Sequence, residues 1–238
     1  MKIRELLQEA PKVSEETKRV RAIIKQWREE IKANPQFSES AFGHFELTPD
    51  NHLIHKGRAL VIRNYMLDEN GELPIKIHSC YKLSVGTPKI KSFKNFPNEI
   101  LRDYRNKVGF GRFDWSLNFG GVYSNDERYD HITSLEGITP EVQGGIDMSM
   151  LEKVNFSNVD KYIKSCSVVA IDRDYVGPLL SFLKIPNLQK INGPTLQNAT
   201  TNKEKACAIV TEHLKGKRNI IECQRELIEK DLDEYAEL

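Results

Sequence analysis

The sequence predicts an α+β fold: an N-terminal helix, a β-hairpin, a short irregular stack of repeated units building a sheet, and C-terminal capping helices. Three observations predict it. First, the phrase IKSFKNFPNEI at Ile90–Ile100 recurs as ITSLEGITPEV at Ile132–Val142 and returns as LSFLKIPNL at Leu180–Leu188. Second, GRFDWS at Gly111–Ser116 is answered by GGIDMS at Gly144–Ser149, with a looser echo, VAIDR, at Val169–Arg173. Third, apolar residues follow a helical period near both ends and a period of two between them. Repetition at about 40 residues marks stacked supersecondary units, none of which buries its apolar face alone. The expected segments are 1–40 (helical), 41–196 (β-rich repeats) and 197–238 (helical cap).

The first element is a helix over residues 14–33. Ser14 suits its N-cap, and Glu15 and Glu16 place negative charge at the positive end of the dipole. Val20, Ile23, Ile24, Trp27 and Ile31 form one apolar stripe, and Asn34–Pro35 closes the helix. Lys18, Arg19, Arg21, Lys25 and Arg28 cover the other face, the ordinary pattern of a solvated surface.

From about residue 44 the period becomes two. Leu60 and Ile62, then Leu73, Ile75 and Ile77, alternate with other residues on either side of Asn70–Gly71, whose positive-φ tolerance predicts a tight hairpin turn. The segment Ile75–Cys80 also reads as an early, degenerate copy of the Phe-Asp-Trp-Ser phrase. In the repeats, each Ser-aromatic or Ser-Leu segment leads to a proline and then a short strand. Proline suits the corner of a coil because it lacks an amide donor. Residues 101–109 read as an insertion, and Asn118–His131 as a polar excursion. At the C-terminus, Thr201 and Glu204 make a capping box, Gly216 ends that helix, and Ile220, Ile221, Gln224, Leu227 and Ile228 follow helical spacing.

Bulk composition narrows the classes. The 238 residues carry a net charge of +1, which hides local asymmetry and argues neither for nor against nucleic acid. No apolar run approaches the ~20 residues that span a bilayer, and no secretory signal opens the chain. Cys80, Cys166, Cys207 and Cys223 form no CxxC pair, which predicts reduced thiols in a cytoplasmic protein.

The segment Ile132–Ser149, ITSLEGITPEVQGGIDMS, resembles the leucine-rich-repeat-like unit of uncharacterised proteins from tailed bacteriophages. The closing segment Cys223–Leu238 is similar to tails on phage-encoded proteins. The resemblance implies a leucine-rich-repeat-like solenoid and a viral interaction protein of the host cytoplasm; the expected partner is a host or phage protein, and inhibition of a host system is one expected effect. It carries no catalytic residues.

Two candidate surfaces follow from the residues. Strand alternation places Asp114, Ser116, Asp147, Ser149 and Asp172 outward, opposite inward Phe113, Trp115, Ile146, Met148 and Ile171. Stacked in register they would form an acidic-hydroxyl ridge for a basic partner. Alternatively, Lys89, Lys91, Lys94, Arg102, Arg105, Lys107 and Arg112 interleave with Phe93, Phe96, Tyr104 and Phe110, a composition suited to phosphates and bases. In that reading Phe93 and Phe96 still belong to the core, because Leu135 and Ile138 hold the matching repeat positions.

His44, His52 and His55 near Glu46 and Asp50 read as a hairpin rim about Pro49–Asn51 rather than a metal site. No nucleophile elbow, HExxH, phosphate loop or deaminase signature occurs. The expectation is a non-enzymatic protein without catalytic residues, metal or small-molecule cofactor.

Overall fold

The computed structural model of the chain describes residues 13–33, 45–57, 59–101, 115–119, 129, 131–172, 174–192 and 196–238. It is a mixed α/β structure with two open, mostly parallel sheets. Helix α1 spans Glu15–Ala33. The strands are β1 (Phe45–Leu47), β2 (Leu53–His55), β3 (Leu60–Ile62), β4 (Ile77–Cys80), β5 (Leu83–Val85), β6 (Glu99–Ile100), β7 (Trp115–Asn118), β8 (Glu141–Val142), β9 (Gly145–Met148), β10 (Val168–Ile171) and β11 (Lys190–Ile191). Helices α2 (Val159–Tyr162), α3 (Asn202–Lys215) and α4 (Ile220–Ile228) follow.

One sheet has the order β1-β2-β4-β6-β8 and the other β11-β10-β9-β7-β5-β3. From β2 to β9 successive strands therefore alternate between the sheets, each lying parallel beside the strand contributed two elements earlier. Among the described strands only β1 and β2 pair antiparallel. Parallel strands need crossover connections and bury both faces; Leu83, Ser84 and Val85 are accordingly all buried.

This topology corrects the expected hairpin. Asn70–Gly71 does make a turn, with Gly71 at φ 73° and its amide bonded to the Asp68 carbonyl at 3.0 Å. The flanking segments do not pair, because β3 and β4 belong to different sheets. The antiparallel pair instead closes about Asp50 and Asn51, where Asn51 takes φ 61°.

The first two copies of the repeated phrase occupy matching places. Glu99 pairs with Glu141 and Ile100 with Val142. Seven residues upstream, Ser92 Oγ accepts the Lys94 amide (3.3 Å) and Ser134 Oγ accepts the Glu136 amide (3.1 Å). Asn95 and Gly137 both have positive φ, 64° and 82°. One step earlier, Ser79 pairs with Glu99, and Asn95 Nδ2 donates to the Leu73 carbonyl at 2.6 Å. The segment around Leu73–Cys80 is thus a copy of the first phrase, not of Phe-Asp-Trp-Ser as expected.

A further copy escaped the sequence reading. The Val159 amide bonds to the Phe156 carbonyl as Phe96 does to Phe93, Ile138 to Leu135 and Ile185 to Phe182. Phe156 packs on Phe182 with ring centroids 5.5 Å apart. Leu73, Phe93, Leu135, Phe156 and Phe182 are all buried within one hydrophobic core that runs from Val20 to Ala236.

Helices cover both ends. Val20, Ile24, Trp27 and Ile31 of α1 are buried, Trp27 meets Phe45 edge-on at 6.2 Å, and Thr17 Oγ1 donates to Asn51 Oδ1 at 2.6 Å. At the far end α3 packs on β11, and Thr211 Oγ1 accepts the Ile191 amide at 3.2 Å. The Thr201–Glu204 capping box forms as expected. No described helix is long and apolar enough to cross a membrane.

Candidate functional site

Asp147 and Asp172 do not share a row of the ladder. The ladder pairs Asp147 with Asn118 on one side and Ala170 on the other. The register shifts within β7, where Trp115 pairs with Gly145 and Leu117 with Ile146. Asp172 follows Ile171, whose ladder partner is Met148, so it lies beyond the row of Asp147. Asp114 lies outside the described residues.

The remaining members are also engaged locally. Asp147 Oδ1 accepts the Ser149 amide (3.0 Å) and the Ser149 hydroxyl (2.6 Å). Asp172 Oδ1 accepts the Asp174 amide at 2.8 Å, and its side chain is nearly buried. Ser116, expected outward, is buried at 5% exposure. Aspartate at these positions closes the turn after each strand, since its short carboxylate reaches the amide two residues on. The expected inward residues Ile146, Met148 and Ile171 are indeed buried, whereas Trp115 is only half-buried.

The basic segment is brought together in part. Lys89, Lys91 and Lys94 are exposed, Lys89 in one turn and Lys94 in the next; Arg102, Arg105, Lys107 and Arg112 lie outside the described residues. Phe93 and Phe96 stack at 5.2 Å and are 1% and 0% exposed, so neither ring is free to meet a base.

A cleft of about 430 Å³ opens between the Ser92 and Ser134 turns. Lys91, Lys94, His131, Thr133, Ser134 and Glu136 border it. Sequence reading had singled out only the two lysines; the signal available for the rest was the repeated phrase itself, which sets Lys91 against Thr133 and Lys94 against Glu136 in adjacent turns. Glu72 holds Lys94 at 2.7 Å and accepts the Ser92 hydroxyl at 2.9 Å. The Lys94 hydrogen bond, then that of Ser92, keeps the Glu72 carboxyl below its ordinary range, and the same ion pair raises the Lys94 ammonium. His131 Nε2 bonds to the Ile90 carbonyl, which ties this imidazole to the segment that leads into the first turn. Among the described residues no carboxylate pairs with Lys91.

Phe119 and Tyr129 of the segment 118–131 are buried in the core. Phe119 packs on Phe93 at 5.3 Å and on Tyr129 at 6.0 Å, and Tyr129 OH donates to the Val85 carbonyl at 2.8 Å. His44 is outside the described residues; His55 is buried against Phe45 at 5.4 Å. No group of three or more metal-ligating side chains occurs among the described residues. All four cysteines are buried and free, and burial pushes Cys166, Cys207 and Cys223 up to about 12 and Cys80 higher still.

No protein-family model, curated protein or solved structure matches this chain.

Proposed function

We propose that the protein is a non-enzymatic binding module, a short leucine-rich-repeat-like solenoid of phage origin that holds a host or phage macromolecule against its turn face, inhibition of a host system being one outcome of that binding. The observation that carries this reading is the matched pair of turns at Ser92–Asn95 and Ser134–Gly137, with the cleft between them. Helices cover both ends of the stack, which leaves the lateral turn face as the surface for a partner. The strand-end acids are taken up by their own turns, so the proposed face is the cleft rather than the acidic ridge.

A nucleic-acid reading draws on the exposed Lys89, Lys91 and Lys94. Along the stack the next turn carries Thr133 and Glu136 where this one carries Lys91 and Lys94, so positive charge does not continue as a repeating phosphate backbone requires. Affinity purification from expressing cells, with and without nuclease, separates the two readings. A stoichiometric, nuclease-resistant protein partner is expected. Recovery of nucleic acid alone, bound tightly at ~200 mM salt, would overturn the ranking.

A further inference from the structure

We propose that the cleft between the Ser92 and Ser134 turns binds a phosphomonoester group carried on a side chain of a protein partner. The inference rests on the protein-partner reading above and names the chemistry that partner presents.

Adjacent copies of one phrase put different donors side by side. On the first turn stand Lys91, without a carboxylate partner among the described residues, and Lys94. Lys94 gives one of its three protons to Glu72 at 2.7 Å, which anchors the ammonium at the cleft and leaves two donors. On the second turn stand the hydroxyls of Thr133 and Ser134. Ser134 Oγ already accepts the Glu136 amide at 3.1 Å, so its own proton is directed elsewhere. Two ammonium groups and two hydroxyls around one opening offer donors to the three acceptor oxygens of a phosphomonoester, with Lys91 the cation that no carboxylate among the described residues already balances.

Charge along the stack restricts the ligand to a single phosphate. Glu136 replaces lysine at the matching position of the second turn and borders the same cleft. It disfavours a second phosphate beside the first, and it lowers affinity for any anion. The volume of about 430 Å³ accommodates one such side chain with its immediate neighbours.

The test is an amide NMR titration of the full chain with three probes: a heptapeptide bearing one central phosphoserine, the same peptide unphosphorylated, and inorganic phosphate. Saturable shifts confined to residues 91–94 and 131–137 are expected with the phosphopeptide, weaker ones with inorganic phosphate, and none with the unmodified peptide. Lys91→Met should weaken phosphopeptide binding about tenfold, Glu136→Gln should strengthen it, and Lys205→Met, on α3, should leave it unchanged. Matching circular dichroism shows that the exposed Lys91 variant remains folded. Absence of saturable shifts in those segments, or shifts undiminished by Lys91→Met, would overturn the site. Inorganic phosphate binding as tightly as the phosphopeptide would overturn its assignment to a partner's side chain. A protein partner whose capture survives both phosphatase and Lys91→Met sinks this inference alone. Capture of nucleic acid alone sinks the protein-partner reading.

Discussion

Gly137 tests whether adjacent turns are copies of one another. It has φ 82°, and a Cβ added there meets the Phe93 carbonyl oxygen at 3.0 Å, its carbon at 3.1 Å and the Lys94 amide nitrogen at 3.3 Å. Alanine in the left-handed region costs about 1–2 kcal/mol. Displacing the neighbouring backbone adds about 1–2 kcal/mol, so Gly137→Ala should lose about 2–4 kcal/mol in all. For a chain of this size that lowers Tm by roughly 5–15 °C. Gly137→Asn brings the same Cβ but tolerates the left-handed region better. Asn95, at the matching place, spends its carboxamide on the Leu73 carbonyl of the preceding turn. Asparagine at 137 reaches the Phe93 carbonyl in the same way. Urea unfolding of both variants should therefore show asparagine as the milder change. An alanine loss below about 0.5 kcal/mol, or asparagine as costly as alanine, would refute the equivalence of the turns.

Three further outcomes follow from the packing and the electrostatics. Leu135→Ala should cost about 2–5 kcal/mol in urea unfolding, because Leu135 is 2% exposed within the core; a loss under about 1 kcal/mol would contradict its place there. The four thiols should resist a disulfide reagent at neutral pH and all react in denaturant, since burial raises every one of them. Glu204 is held at about 2, below its ordinary 4.5, first by the Thr200 and Thr201 amides. Its contribution to stability is therefore present above pH 4.5 and lost as pH falls towards 2. Glu204→Gln should remove that part of the acid dependence, and acid unfolding profiles of the two proteins that run parallel would contradict it.

Local signals were legible in the residues alone. The apolar stripe of α1, the Ser14 cap, the Thr201–Glu204 box and the recurrence of Ser92–Ile100 at Ser134–Val142 depend on neighbours in sequence, and each has its counterpart in the structure. The Phe156 turn was missed because α2 intervenes before Ser165 takes up its place beside Glu141, which breaks the spacing. What tertiary structure decided is which strands pair. A twofold alternation says that Leu60–Ile62 and Ile77–Cys80 are strands, and a turn at Asn70–Gly71 suits a hairpin, yet the choice of sheet is made by burial over the whole stack. Register was beyond the sequence for the same reason: the ladder sets Asn118 and Ala170 beside Asp147, and Asp172 falls beyond that row. The cleft, likewise, exists only because two copies of one phrase lie side by side with unlike charges at matching positions, Lys91 against Thr133 and Lys94 against Glu136.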